Sequence, residues 1–137
     1  MLANINLPFT LRIIPFGSEE LGLLGSRFYV DSLTDQELAN TKAMLNFDAL
    51  GTGSGVSIFG SPELTELMAG AGGTIGVDIT GIGGLSGGTS DYASFQSVGI
   101  SHLMFFGDDT TRIHSAFDTI EFVQPETLGG AAASTVT

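Results

Sequence analysis

Two adjacent acids, Glu19 and Glu20, stand between an apolar stretch and a helical pattern. Two further residues with metal-ligand chemistry, Asp48 and His114, follow later predicted strands. Metal-assisted hydrolysis needs carboxylate or imidazole ligands from separate elements, an open coordination position and a base beside the bound water. Neighbouring glutamates at a strand-to-helix turn can divide these duties, one holding the ion while the other faces its water. A metal lowers the pKa of bound water from 15.7 to about 7, so a carboxylate becomes an adequate base near neutral pH. Read alone, the pair serves equally well as acids complementing the dipole of a helix N-terminus. Asp48 and His114 tilt the reading toward a metal.

The choice of ligands is narrow. The chain has no cysteine and two histidines in 137 residues, so disulfides and thiolate sites are excluded, and Asp, Glu and His remain. His102 opens an apolar strand and reads as a structural residue. Asp91 and Asp118 read either as a helix cap and a turn acid, or as groups that orient ligands from a second layer. One rival constellation exists. Gly84-Leu85-Ser86-Gly87-Gly88 fits G-x-S-x-G, and Asp108 or Asp109 followed by His114 completes the Ser, Asp, His order of an α/β-hydrolase. That elbow needs a buried strand before it and a helix directly after, whereas glycines precede it and Thr89-Ser90 interrupts. Gly51-Thr52-Gly53-Ser54-Gly55 resembles a phosphate loop, but extended Val56-Ser57-Ile58-Phe59 follows where a helix is required.

The elements that must position these groups alternate between strand and helix. Residues 7–16 are mostly apolar, as in a strand covered on both faces. Leu21, Leu24, Phe28 and Leu33 recur near helical spacing, which predicts a helix over residues 22–32. Thr34-Asp35-Gln36-Glu37 is a capping box for a second short helix. Strand patterns follow from Leu45, over residues 56–59, weakly over 77–79 and over 102–106. Ser61-Pro62-Glu63 opens a helix reaching about residue 71, Ser90 caps one over 92–98, and Gln124-Pro125 starts a last one. Residues 81–89 and 107–119 read as loops. The alternation implies an α/β fold, a three-layer α/β/α sandwich with a mostly parallel central sheet, and short connections admit antiparallel pairs. Active sites in such sheets gather at the carboxyl ends of strands, where Glu19-Glu20, Asp48 and the His114 loop all fall.

Composition limits the function classes. At 137 residues and 42% hydrophobic, the chain suits one core. A formal charge of −11 repels phosphate backbones and disfavours nucleic acid. The longest apolar runs are far shorter than the roughly 20 residues needed to span a bilayer, so no membrane partner is expected.

Four segments carry a resemblance to a known family. Phe16-Gly17-Ser18-Glu19-Glu20-Leu21-Gly22-Leu23-Leu24-Gly25-Ser26, Leu45-Asn46-Phe47-Asp48, Ser90-Asp91-Tyr92-Ala93-Ser94-Phe95 and Ile113-His114-Ser115 with Asp118-Thr119 stand in the order of the co-catalytic two-zinc aminopeptidases. That family takes in aminopeptidase Y, glutamate carboxypeptidase and glutaminyl cyclase relatives, and the likeness is to the C-terminal portion of its catalytic domain. The resemblance implies a zinc-dependent exopeptidase acting on the N-terminal bond of a peptide substrate, with two zincs per intact domain and Glu19 as general base. It implies that Glu20 and His114 share one zinc and Asp48 binds the other, with Ala49, Phe106 and Ile113 near an apolar substrate pocket. Members also carry an upstream zinc-binding His followed by a bridging Asp, whereas residues 1–18 contain no His, Asp or Glu. The expectation is therefore a single partial domain over 1–137, truncated at both ends and inactive alone. An upstream segment or a partner chain would complete its site, or it would serve as a non-catalytic binding module. A secreted or periplasmic setting is also implied.

Overall fold

A computed structural model describes residues 6–75, 79–83 and 88–128. In chain order the elements are α1 (Leu24–Ser32), α2 (Asp35–Asn40), β1 (Met44–Phe47), β2 (Val56–Gly60), α3 (Pro62–Ile75), β3 (Ile79–Ile82), α4 (Tyr92–Gln96), β4 (His102–Gly107) and a 3₁₀ turn, Ile120–Phe122. The strands form one sheet in the order β1-β4-β2-β3. β1 is parallel to β4 and β2 to β3, while β2 and β4 run antiparallel across the middle. Among the described residues, no helix is long and apolar enough to cross a membrane.

All six residues of β4 are buried, because this central strand is covered on both faces. Its side chains alternate between two cores. Leu103 and Phe105 join Val56, Ile58 and Met68 under α3, with Leu64 and Ala71 packed against them. His102 stacks on Tyr92 of α4 at 5.0 Å on the opposite face. A second cluster, Val30, Phe95 and Ile100, joins α1 to α4 and gathers Phe16, Tyr29, Leu38 and Met44. Buried Ser26 and Val30 lie four residues apart on α1, one helical face, and the Ser26 and Ser94 hydroxyls meet at 2.8 Å. These layers give the expected α/β/α arrangement.

Local signals explain most boundaries. The Thr34 hydroxyl accepts from the Glu37 N–H while the Glu37 carboxylate accepts from the Thr34 N–H, the full capping box. Pro62 and Glu63 open α3, which continues to Ile75, beyond the expected end near residue 71. Gly70, Gly72 and Gly73 lie inside it at a propensity cost of about 1 kcal/mol each, which packing of Leu64, Met68 and Ala71 on the sheet offsets.

Two expectations need correction. Residues 7–16 form no strand, and residues 8–15 are exposed, Ile13 at 79%. An apolar run records a gain from burial but does not supply a sheet edge, and β1 pairs with β4 alone among the described residues. The run is tied to helices instead. Arg12 Nη1 donates to the Tyr29 hydroxyl at 2.9 Å, and Phe16 packs edge-on to Tyr29 at 5.8 Å. β3 begins at Ile79 and includes Gly81 and Ile82, which the sequence assigned to a loop; residues 77–78 lie outside the described residues. The last helix is seen over residues 125–128, and its continuation lies outside them.

Candidate metal centre

The Glu19-Glu20 turn is built by its own backbone. Leu21, Gly22, Leu23 and Leu24 donate N–H groups back to the carbonyls of Ser18 and Glu19, and the Gly25 N–H reaches the Gly17 carbonyl at 3.1 Å. A Cβ on Gly25 would stand 2.6 Å from the Gly17 oxygen, so the two ends close only when residue 25 has no side chain. Phe16, gripped by Tyr29 and by Phe95 at 6.0 Å, fixes the turn to α1 and α4.

His114 is brought to this turn across 94 residues, its Nε2 lying 2.7 Å from Glu20 Oε1. Both side chains are about two-thirds exposed, which leaves the pair open to a further ligand. An exposed pair of this kind adds only about 0–1 kcal/mol to stability. Glu19 is half-buried beside it. Desolvation chiefly raises its pKa above the ordinary 4.5, repulsion from Asp48, Glu20 and Asp91 adds to this, and His114 opposes it.

Asp48 follows β1, at the same end of the sheet as the loop after β4. Its Oδ2 accepts from the buried Ser90 hydroxyl at 2.6 Å, and Ser90 Oγ accepts from Asn46 Nδ2 at 3.0 Å. The amide group can only donate, so the Ser90 proton is committed to Asp48. Sequence reasoning read Ser90 as a helix cap, but α4 has no side-chain cap, and it passed over Asn46. The i, i+2 spacing of Asn46 and Asp48 was the available signal, since alternate residues of a strand share a face. Asp91 keeps one buried carboxylate oxygen, Oδ1, without a partner among the described residues.

The non-glycine residues with positive φ among the described residues are Ser18, Leu23, Ala49 and His114, at 59°, 61°, 49° and 60°. Ser18 and Leu23 bracket the glutamates, Ala49 follows Asp48, and His114 is itself a candidate ligand. Such backbone costs of order 1–3 kcal/mol persist where surrounding structure enforces them, and they concentrate at working sites.

The remaining candidates divide. The Ala49 carbonyl accepts from the Gly107 N–H at 3.1 Å, and Ile113 is 39% exposed beside His114. Phe106 is buried against Phe59, with ring centroids 5.9 Å apart. Asp108 binds the Ser54 N–H and hydroxyl, and Asp109 binds Thr111 and Arg112, so the acid that meets His114 is Glu20. Ser86 lies outside the described residues. His102 is buried and stacked, as expected of a structural residue.

A carboxylate oxygen and an imidazole nitrogen converging on one point fit zinc in kind. Two tetrahedral zinc ligands stand about 3.3 Å apart, so an opening of about 0.6 Å would admit the ion. In number the set is short. Among the described residues no group of three His, Cys, Asp or Glu side chains could hold a metal.

Known proteins resemble the chain in sequence and in fold. Aminopeptidase YwaD of Bacillus subtilis is 34% identical over 132 residues, covering 86% of this chain and 29% of that protein. Leucine aminopeptidase 2 of Trichophyton equinum is 51% identical over 51 residues, 37% of this chain and 10% of that protein. The solved structure of BSAP, a zinc aminopeptidase from Bacillus subtilis, superposes with a TM-score of 0.73 at 33% identity, over 88% of this chain and 34% of that one. The chain thus spans about a third or less of the length of these relatives. The profile of Peptidase family M28 matches residues 1–136, and the chain belongs to that family.

Proposed function

We propose that this chain carries the general base and part of the metal-ligand set of a zinc aminopeptidase acting on the N-terminal bond of a peptide. The observation that supports this most is the contact of Glu20 Oε1 with His114 Nε2 at 2.7 Å, directly beside a glutamate whose pKa is raised. Glu20 and His114 would hold one zinc and Asp48 would contribute to a second. When bound, zinc supplies a water of lowered pKa and polarises the substrate carbonyl. Glu19 takes the proton of the attacking water and returns it to the leaving amine, a role its raised pKa favours. Ser90 and Asn46 hold the Asp48 carboxylate in place. Ala49 and Ile113, next in sequence to Asp48 and His114, together with Phe106 would receive an apolar substrate side chain.

With two donors at one point and one at another, the 137-residue chain binds zinc weakly and turns over little substrate by itself. Zinc stoichiometry and aminoacyl-nitroanilide hydrolysis test this, measured on this chain and on one extended upstream. The extended chain should gain zinc and a chelator-sensitive activity that Glu19→Gln reduces by about 10²–10⁴-fold. Tight binding of two zincs and full turnover by the short chain would overturn the ligand-poor reading. Hydrolysis that survives exhaustive chelation would overturn the metal reading as a whole.

A further inference from the structure

Arg112 lies two residues before His114 and belongs to no ligand set, yet it makes the most elaborate contacts in the loop. Its Nη1 donates to Asp109 Oδ2 at 3.0 Å, and its guanidinium carbon stands 4.0 Å over the centre of the Phe122 ring. Asp109 is fixed in turn by the Thr111 N–H at 3.0 Å and the Thr111 hydroxyl at 2.5 Å. The Arg112 carbonyl accepts from both the N–H and the hydroxyl of Ser115, at 3.2 and 2.6 Å. These bonds close the turn that holds His114 at a φ of 60°.

Phe122 connects this turn to a different part of the site. Two residues on, the Gln124 N–H donates to the Gly51 carbonyl at 2.6 Å, and Val123 and Leu128 crowd Gly51 so closely that a Cβ there would meet them at 2.9 and 3.0 Å. Gly51 lies three residues after Asp48. A continuous set of contacts therefore runs from the His114 turn through Arg112, Phe122 and Gln124 to the turn that carries Asp48.

We propose that Arg112 is a positioning residue, a strut that sets the His114 turn against the Asp48 turn and so fixes the separation of two metal ligands. The chemistry selects arginine. Its flat guanidinium can stack on a ring face while its edge donates to a carboxylate, whereas a lysine ammonium is a point charge that satisfies one contact at a time. Groups that orient ligands from behind typically change metal affinity by 10–100-fold when removed. The inference rests on reading His114 and Asp48 as ligands, and its test starts from the metal-free chain so that the two can fail separately.

The two histidines serve as reporters, since His114 sits in the strut's turn while His102 lies at the other end of β4, stacked on Tyr92. In ¹H–¹³C spectra of the imidazoles, Arg112→Ala should shift and broaden the His114 signal and leave His102 unmoved. Zinc affinity, read by competition with a chromophoric chelator, should fall about tenfold. Phe122→Leu should reproduce the His114 shift with the Asp109 pair intact, and Arg112→Lys should fall between wild type and Arg112→Ala. An unchanged His114 signal, a joint shift of both histidines, or a wild-type His114 signal and zinc affinity in Arg112→Lys would overturn the proposal. Unaltered zinc affinity in His114→Ala would refute the ligand reading, and the metal-free His114 signal would still decide the strut.

Discussion

Ser90 Oγ stands 2.6 Å from Asp48 Oδ2 and donates its proton there, while Asn46 Nδ2 supplies Ser90 with the donor it lacks. The three residues join the end of β1 to Ser90, two residues before α4, across 42 positions. Ser90 is 1% exposed and Asn46 5%, so neither can replace a lost partner with bulk water. The Asp48 carboxylate is thereby held in place by the fold itself.

Ser90→Ala removes the donor to Asp48 and one of the two acceptors of Asn46 Nδ2, the other being Met104 Sδ at 2.8 Å. A buried polar group left unpaired costs about 1–3 kcal/mol. The expected outcome is a fall of that size in stability, seen in urea as a lower midpoint at constant slope. Loss of stability well below this range would mean that the buried chain of hydrogen bonds does not hold.

Gly25→Ala places a methyl 2.6 Å from the Gly17 oxygen and 2.9 Å from its nitrogen, backbone atoms that cannot rotate away. Overpacking of this kind costs about 1–3 kcal/mol. Thermal unfolding should show the loss, and the Glu20–His114 contact should open with the turn. Retained stability would mean that the two ends of the turn are not closed against each other.

Asp108 gives a pH dependence whose sign follows from its contacts. Burial opposes its ionisation, but hydrogen bonds from Thr80, Gly55 and Ser54 outweigh this and hold its pKa below 3.8. Its folded pKa being depressed, the stabilisation is present above 3.8 and is lost as pH falls through the folded value. Asp108→Asn should therefore be less stable than wild type at neutral pH, with the gap closing as pH falls below 3.8 and through the folded value. Denaturant midpoints across that range check it; a gap that widens toward acid would contradict the sign.

How legible these features were depends on the range of the interactions that make them. The capping box at Thr34 and Glu37 closes within three residues, and β4 shows itself as a continuous apolar run, so both could be read locally. Residues 7–16 carry the same apolar signal and form no strand, because pairing requires a partner edge that no local pattern supplies. At the site, Glu19 and Glu20 stand next to each other, but the meeting of Glu20 with His114 spans 94 positions and was anticipated from family resemblance, not from spacing. Ser90 was misjudged for the same reason. Its local context is a helix start, and its hydroxyl serves a carboxylate 42 residues away.

The division of labour between the two adjacent glutamates is tested most directly by zinc titration of the wild-type chain, Glu20→Gln and Glu19→Gln against a competing chromophoric chelator. Glu20→Gln should weaken zinc binding by about tenfold or more, since it removes a charged donor. Glu19→Gln should bind zinc as the wild type does. Equal affinities in all three proteins, or a loss confined to Glu19→Gln, would contradict the assignment of Glu20 as ligand and Glu19 as base.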